Sequence, residues 1–232
     1  MKNIFLLAMA ILGCCSCHHV TGSGHVITEK RSTGDFVGIS ASSGIEVELK
    51  NGTTSIEVEA DDNIIRLLKT EVKDNILKIY ISNHSNVNDA HMKVFVSAAG
   101  IRALNASSGS EIHAVDILSG ADNISFDASS AGKITADVDA PSVRLESSSA
   151  GDIQVKGKTK NLTASCSSSG QIQATGLLSE VTTVEARVGA EAEVHASVSL
   201  NADASSGANI GYRGGGNVVV KTSSGGTVNK KD

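Results

Sequence analysis

Two carboxylates at a repeat spacing are the first residues in this sequence that could do chemistry. Asp127 and Glu146 lie five residues before Gly132 and Gly151, respectively. If those stretches stack, the acids face one another, a pair that can divide into acid and base or hold a cation. Lys133, Asp152 and Gln171 recur one residue after Gly132, Gly151 and Gly170. They read as a solvated face with a Lys–Asp pair of little energetic weight. His113 and His195 have no Ser or Cys in a triad-like context and read as lone surface histidines. A catalytic site needs a base, an electrophile and a cleft that converge. No such set is brought together, so no catalytic residue is assigned and an enzyme is not expected.

Metal and cofactor motifs fare no better. His18, His19 and His25 are close in sequence, but no Cys or carboxylate stands at fixed spacing beside them. Gly211-Tyr212-Arg213-Gly214-Gly215-Gly216 lacks the Lys-Ser/Thr ending and the following helix of a phosphate loop. The Gly-Gly-x-Gly-x-Asp period of calcium-binding β-rolls is absent. No metal or cofactor is expected.

Three of the four cysteines crowd into Gly13-Cys14-Cys15-Ser16-Cys17. Before them come Lys2 and the apolar run Ile4 to Leu12, nine residues long. A helix of that length is too short for a hydrocarbon core of about 30 Å. A charged start, a short apolar run and small residues read as a secretory signal. A cysteine directly after the run resembles a bacterial lipobox, whose cysteine becomes the lipidated first residue. Cys17 is the preferred acceptor and Cys14 the alternative. Residues 1–16 are then a lipoprotein signal peptide and residues 17–32 a polar tether running into a first strand at Val26-Ile27.

Composition narrows the remaining classes. The 232 residues are 40% hydrophobic with a net charge of −5, so the chain is not of the disordered class. A sequence pI near 5.8 gives no global attraction to nucleic acid. Aromatics make up 3% of the chain, too few for an aromatic pocket or a sugar-stacking platform. The core must be built from small and aliphatic side chains.

The elements that position these residues are repeats. From residue 101 onward an aliphatic residue, a run of Ala and Ser, a Gly and a second aliphatic recur. Examples are Ile124, Gly132 and Ile134, then Val143, Gly151 and Ile153, and later Val181, Gly189 and Val194. From Gly109 to Gly225 the Gly-to-Gly steps are 23, 19, 19, 19, 18 and 18 residues. A fixed period of this size marks a solenoid. Alternation such as Ile124-Phe126-Ala128 against Ser125-Asp127-Ser129 has period two, so the repeats are strands. The expected fold is all-β: a single-stranded parallel β-helix, a right-handed solenoid with rungs of about 19 residues. Ala128, Ser147 and Cys166 should form one interior column, with a corner at each Gly supplied by its backbone freedom. Cys166 then reads as a buried inert thiol.

Residues 33–100 depart from the rung pattern and read as an irregular N-terminal β section that caps the solenoid. Asn51-Gly52 between Ile45-Val47-Leu49 and Ile56-Val58 is a hairpin signal. Asp61-Asp62-Asn63 before Ile64-Ile65-Arg66-Leu67-Leu68-Lys69 predicts one short helix with an Asp cap. Residues 101–232 are the regular rungs.

The order of Phe36–Ile39, Gly44-Ile45-Glu46-Val47, Asp62-Asn63, Asn75-Ile76-Leu77-Lys78-Ile79 and the Ala/Ser/Gly rungs from Ala106 resembles one family. It is the bacterial family called putative auto-transporter adhesin, head GIN domain, and the resemblance covers about residues 33 to 228. It departs at Ala98-Ala99-Gly100-Ile101, where a Pro is expected. The resemblance implies an exported β-helical protein of Bacteroidetes-type bacteria, with no catalytic residues to carry over. The expected function is a cell-envelope lipoprotein of the outer membrane, acting as a structural or adhesion-like binding module. Its expected partners are the membrane, through the lipid, and a glycan or an envelope or matrix protein, but not nucleic acid. The alternatives are a carbohydrate-active or carbohydrate-binding β-helix and an envelope signalling accessory.

Overall fold

The computed structural model describes residues 19–82, 86–120 and 122–231. Among them every regular element is a strand, and parallel strands stack into a β-solenoid of about 7 turns with rungs of about 19 residues. Cys14 and Cys17 lie outside the described residues.

Each regular rung has three segments. One face stacks Gly38–Ala41, Ala103–Ala106, Asn123–Ala128 and their successors as far as Ser199–Ser205 and Asn217–Ser223. After a tight corner, a second face stacks Glu46–Lys50, Glu111–Ala114 and onward to Asn209–Arg213 and Thr227–Lys230. A shorter third face begins at Leu118–Ser119 and continues through Val138, Gly157 and Leu177. Alternate side chains point inward, so like residues stack in columns. Phe126 pairs with Leu104 and Leu145, and Ile134 with Ile112 and Ile153. The column Ala41, Ala106, Ala128, Ser147, Cys166, Ala186, Ala204 runs through the middle of the coil, between Ile79 at one end and Thr222 at the other. Small residues are required there because the chain turns beside it.

The corner is a two-residue turn, and glycine does not always make it. Ser130 and Ala131 have φ of 49° and 60°, Ser149 and Ala150 of 50° and 62°, and Ser168 and Ser169 of 50° and 60°. Gly132, Gly151 and Gly170 follow these pairs and close the turns, each N–H donating to the carbonyl of Ser129, Ser148 or Ser167 at 2.9 Å. This is the type I′ pattern, with both central residues left-handed. Left-handed non-glycine residues are costly. Here each pair is held by its neighbour, as in Ala131 N–H to Ser149 O at 3.1 Å and Ala150 N–H to Ser168 O at 3.2 Å. In the other rungs Gly109, Gly189, Gly207 and Gly225 occupy the second left-handed position themselves. The expectation that Gly makes every corner is thus corrected. At Gly132, Gly151 and Gly170 its role is close approach to the rung below: a Cβ on Gly132 would lie 2.2 Å from Ala106 O.

One rung carries an extra residue. The register between the strands shifts between Gln154 and Lys156, opposite Ala174-Thr175. Thr182, not Val181, therefore follows Leu162 in the interior column, and Val181 faces outward. Thr182 Oγ1 satisfies itself with Ser179 Oγ at 2.6 Å and His195 O at 2.8 Å.

The N-terminal section differs from expectation in three places. The Asn51-Gly52 turn does not make a hairpin. Met92–Ser97 lies between the two strands, parallel to Glu46–Lys50 and antiparallel to Ser55–Asp61. The two-residue hairpin is at Asp74-Asn75, with φ of 54° and 60°, joining Leu68–Lys73 to Ile76–Ile81. The short helix is replaced by two turns. Ile64 and Ile65 N–H donate to Asp61 O, and Leu67 and Leu68 N–H to Ile64 O. The Asp61 carboxylate does not cap these turns. It is buried and accepts Gly24 N–H and His91 N–H, both at 2.8 Å. Arg31 Nη1 and Nη2 take Leu68 O and Ile65 O at 2.7 and 2.9 Å, and the chain passes directly into a strand at Leu68.

The third place is the incoming chain, where the strand expected from Val26-Ile27 forms as Val26–Arg31 and a further short strand, His19–Thr21, precedes it. His19–Thr21 pairs in parallel with Asn86–Asn88, and Val26–Arg31 in antiparallel with Ser55–Asp61. Between them Asn63 Nδ2 donates to Thr21 O at 2.8 Å, and Ser23 Oγ to Asp62 Oδ1 at 2.6 Å. The Asp61-Asp62-Asn63 run serves to hold the incoming chain.

Cys166 is buried in its column, with Sγ 3.5 Å from Glu191 O. Burial pushes its thiol up to about 11. Cys166, followed by mass spectrometry of its own peptide, should therefore react with a maleimide at pH 8 far more slowly in native than in denatured protein. Cys166→Ser should cost little, since Ser147 fills the same slot one rung earlier and bonds Gly151 O at 2.7 Å.

Candidate functional site

The stacked carboxylates are where the period places them. Asp127 is in register with Asn105 and Glu146, and Glu146 with Ser165. The column continues outward through Glu185, Asp203 and Lys221. Desolvation between rungs, and then the charge of Glu146, hold the Asp127 carboxyl above its ordinary range. Glu146 is neutralised from its own strand by Arg144 Nε, at 2.5 Å, and Glu185 by Arg187. An acid with a raised pKa beside a paired carboxylate is a combination able to transfer protons. Both residues lie on an outward strand face, however, and the principal grooves are lined by other residues.

Asp127 gives a measurable pH dependence. A folded-state pKa above the unfolded one favours the fold in acid, and that contribution is lost as pH rises through the raised pKa. Asp127→Asn should be neutral in acid and slightly stabilising near pH 7, read as melting temperature at both pH values.

The second column runs Lys93, Glu46, Glu111, Lys133, Asp152, Gln171, Glu191. Lys93 Nζ lies 2.7 Å from Glu46 and 3.4 Å from Glu48, and 5.1 Å from the centre of the Phe95 ring. Lys133 turns to Glu111, at 3.0 Å, rather than making the expected pair with Asp152. The hydrogen bond from Lys133 to Glu111 holds the ammonium above its ordinary range. Asp152 instead accepts Gln154 Nε2 at 3.0 Å through Oδ2, and its Oδ1 is shielded without a partner.

A groove of about 750 Å³ opens on the third face and was not singled out in the sequence. Pro141 and an outward-facing Leu178, 58% exposed, form its apolar part. Lys158, Lys160, Glu180 and His195 form its polar part, with Lys158 paired to Asp139 at 3.1 Å. His195 is half-buried, with Nδ1 shielded and unpartnered, which corrects its reading as a lone surface histidine. The sequence signals were the single proline of the chain and Leu178, an aliphatic residue out of phase with the inward set.

His113 is exposed, in register with Glu48 and Thr135. His25 Nδ1 lies 3.8 Å from Asp62, and the His19 ring meets the Asn88 side chain. Among the described residues no group of three or more His, Cys, Asp or Glu is arranged to hold a metal ion, and no helix is long and apolar enough to cross a membrane. Tyr80 donates to Glu71 at 3.0 Å and Tyr212 packs against the core near the other end, so the two do not form a common stacking platform.

The fold has solved counterparts. A protein described as a putative adhesin from Bacteroides fragilis superposes with a TM-score of 0.84 at 20% identity, covering 91% of this chain and 100% of that one. A protein from Parabacteroides distasonis described as a putative lipid binding protein gives 0.74 at 17%, covering 92% and 100%. A putative adhesin from the same species gives 0.67 at 26%, covering 92% and 100%. No curated protein matches the chain. The family described as putative auto-transporter adhesin, head GIN domain, matches residues 35–216, which span the N-terminal section and the rungs up to the last, and the chain belongs to that family.

Proposed function

We propose that the protein is an outer-membrane lipoprotein whose solenoid acts as an adhesion-like binding module rather than as an enzyme. The observation that carries this reading is the distribution of charge. Asp127 and Glu146, then, beyond Ser165, Glu185 and Asp203 line one strand face, and the column from Lys93 to Glu191 lines another. Each rung offers a weak contact to a repetitive ligand. Many copies on one membrane turn weak contacts into strong attachment. The names of the adhesin relatives agree with this reading. The groove at Leu178 favours a second one, an amphipathic lipid held by Pro141 and Leu178, in line with the relative described as lipid-binding.

A glycan, matrix-protein and fatty-acid binding array with the purified protein tests both readings. Binding to a polymer, changed less than about threefold by Asp127→Asn, Glu146→Gln or Asp152→Asn, is the expected result for contacts that each contribute little. Degradation of an acidic polysaccharide that Asp127→Asn abolishes without unfolding the protein would defeat the module reading. Anchoring is tested separately. A palmitate analogue should label the wild type, and labelling should disappear in the Cys14→Ala, Cys17→Ala double variant.

A further inference from the structure

Two neighbouring pairs on the same two strands behave differently. Asp139 and Lys158 stand in register and close an ion pair at 3.1 Å. Asp137 and Lys156 also stand in register and are both exposed, yet they make no ion pair among the described residues. The reason lies in the rung above. The extra residue at Ala174-Thr175 places Gly176 opposite Lys156. A Cβ on Gly176 would lie 2.9 Å from Lys156 Cγ, so the lysine stem rests over the glycine and leans away from Asp137. Bulges that re-aim a side chain in this way are frequent beside functional sites.

Beside this bulge, where the second face passes into the third, lies a groove of about 310 Å³, within the range of small-ligand sites. One wall is a single outward column, His113, Thr135, Gln154 and Gln173, in register over four rungs. The other wall is formed by Val115, Asp137, Lys156 and Thr175. Among the described residues the side chains of Thr135, Gln173 and Thr175 make no hydrogen bond, and Gln154 uses only Nε2, on Asp152. Hydroxyls and amides both donate and accept. Val115, 47% exposed, adds an apolar edge.

The lining selects the ligand. Asp137 and Lys156 cancel in charge, so a polyanion or a polycation meets one partner and one repelling group. An added peptide strand finds no free backbone, since Lys133–Ser147, Asp152–Ser167 and Gln171–Arg187 are each paired on both sides along the groove. An uncharged chain of hydroxyls matches both walls, with its strongest bonds to the carboxylate and the ammonium. The groove also continues along the coil. At Gln173 it meets a second depression of about 250 Å³, lined by Gln171, Glu191 and Glu193. Rungs about 4.8 Å apart present one side chain of the wall at each step, which suits an extended ligand.

We propose that this groove binds an uncharged polysaccharide lying along the coil axis, with its hydroxyls bonded to Gln154, Gln173, Asp137 and Lys156. The proposal rests on the binding-module reading and deepens it, naming a neutral glycan as the ligand and the groove beside the bulge as its place. Hydrogen bonds carry the recognition, so no aromatic platform is needed.

The test uses the full chain in detergent with labelled glucan, mannan, xylan and galactan oligosaccharides, and oligogalacturonate as the acidic comparison. At least one neutral oligosaccharide should bind saturably, and oligogalacturonate should not. Gln154→Ala with Gln173→Ala should weaken that binding about tenfold or more, as expected for losing two hydrogen bonds. Thr163→Ala, exposed on the first face, should leave it unchanged. A second readout needs no variant. The bound oligosaccharide should slow acetylation of Lys156 by acetic anhydride, but not that of Lys160, which lines the groove at Leu178. Neutral binding that survives the double variant, or that leaves Lys156 unshielded, overturns the proposal, and so does a preference for oligogalacturonate. Binding of a matrix protein or an acidic polymer, with no neutral oligosaccharide bound, overturns it while the module reading stands. Binding of nothing on the array defeats both.

Discussion

Phe126→Ala should destabilise the native protein by about 3–5 kcal/mol, the usual range for removing a buried aromatic ring. Phe126 is the largest of the fully buried side chains and is 1% exposed. It sits in a column with Leu104 below, Leu145 above and Ala164 one rung further on. Backbone ladders on both sides fix the distance between rungs at about 4.8 Å, so the walls cannot close over the space left by the ring. A solenoid is stabilised mainly between neighbours. The loss should therefore be felt first at Ala103–Ala106 and Lys133–Ser147, and hydrogen exchange should rise there before it rises at the ends. Urea denaturation gives the size of the effect. Phe126→Leu, which keeps most of the volume, should cost about 1.5 kcal/mol or less.

Gly151→Val should cost at least about 3 kcal/mol, through overpacking combined with a broken buried hydrogen bond. A Cβ on Gly151 would stand 2.1 Å from the Ala128 carbonyl oxygen, which accepts Ser148 N–H at 2.9 Å. Neither the oxygen nor the Gly151 backbone can withdraw without opening the corner. Gly109 offers the contrast. It has φ of 72° with open space around its Cβ direction, so Gly109→Ala should meet only the left-handed penalty of about 1–2 kcal/mol. Melting curves of the two variants separate steric from conformational demands at the same corner of different rungs.

Much of this was readable from the residues. Stacking turns period into register, so the 19-residue spacing was enough to pair Asp127 with Glu146 and to bury Cys166 beneath the Ala128 column. What escaped depends on contacts remote in sequence. The extra residue opposite Val155 is invisible in a Gly-to-Gly count, because Gly170 and Gly189 occupy different positions of their turns. The count stays at 19 while the strand shifts by one, and Thr182 takes the place assigned to Val181. Asn51-Gly52 has the composition of a hairpin, but Met92–Ser97 occupies the space between its arms. Asp61 looks like a helix cap until Gly24 and His91 claim both of its oxygens. The groove at Leu178 needed four rungs side by side before its residues met.

The pairing of Gly38–Ala41 with Ala103–Ala106 has a kinetic consequence. Ala41 meets Ala106 across 65 residues, whereas Ala128 meets Ser147 across 19. Closing the longer loop costs about 1 kcal/mol more in chain entropy and finds no preformed rung to land on. The N-terminal section is therefore the slow nucleus. Once Glu46–Lys50 and Gly38–Ala41 present their free edges, each later turn adds to a finished template through a short closure. The chain should fold as a zipper, from residue 103 toward residue 230, in the order in which it emerges during synthesis.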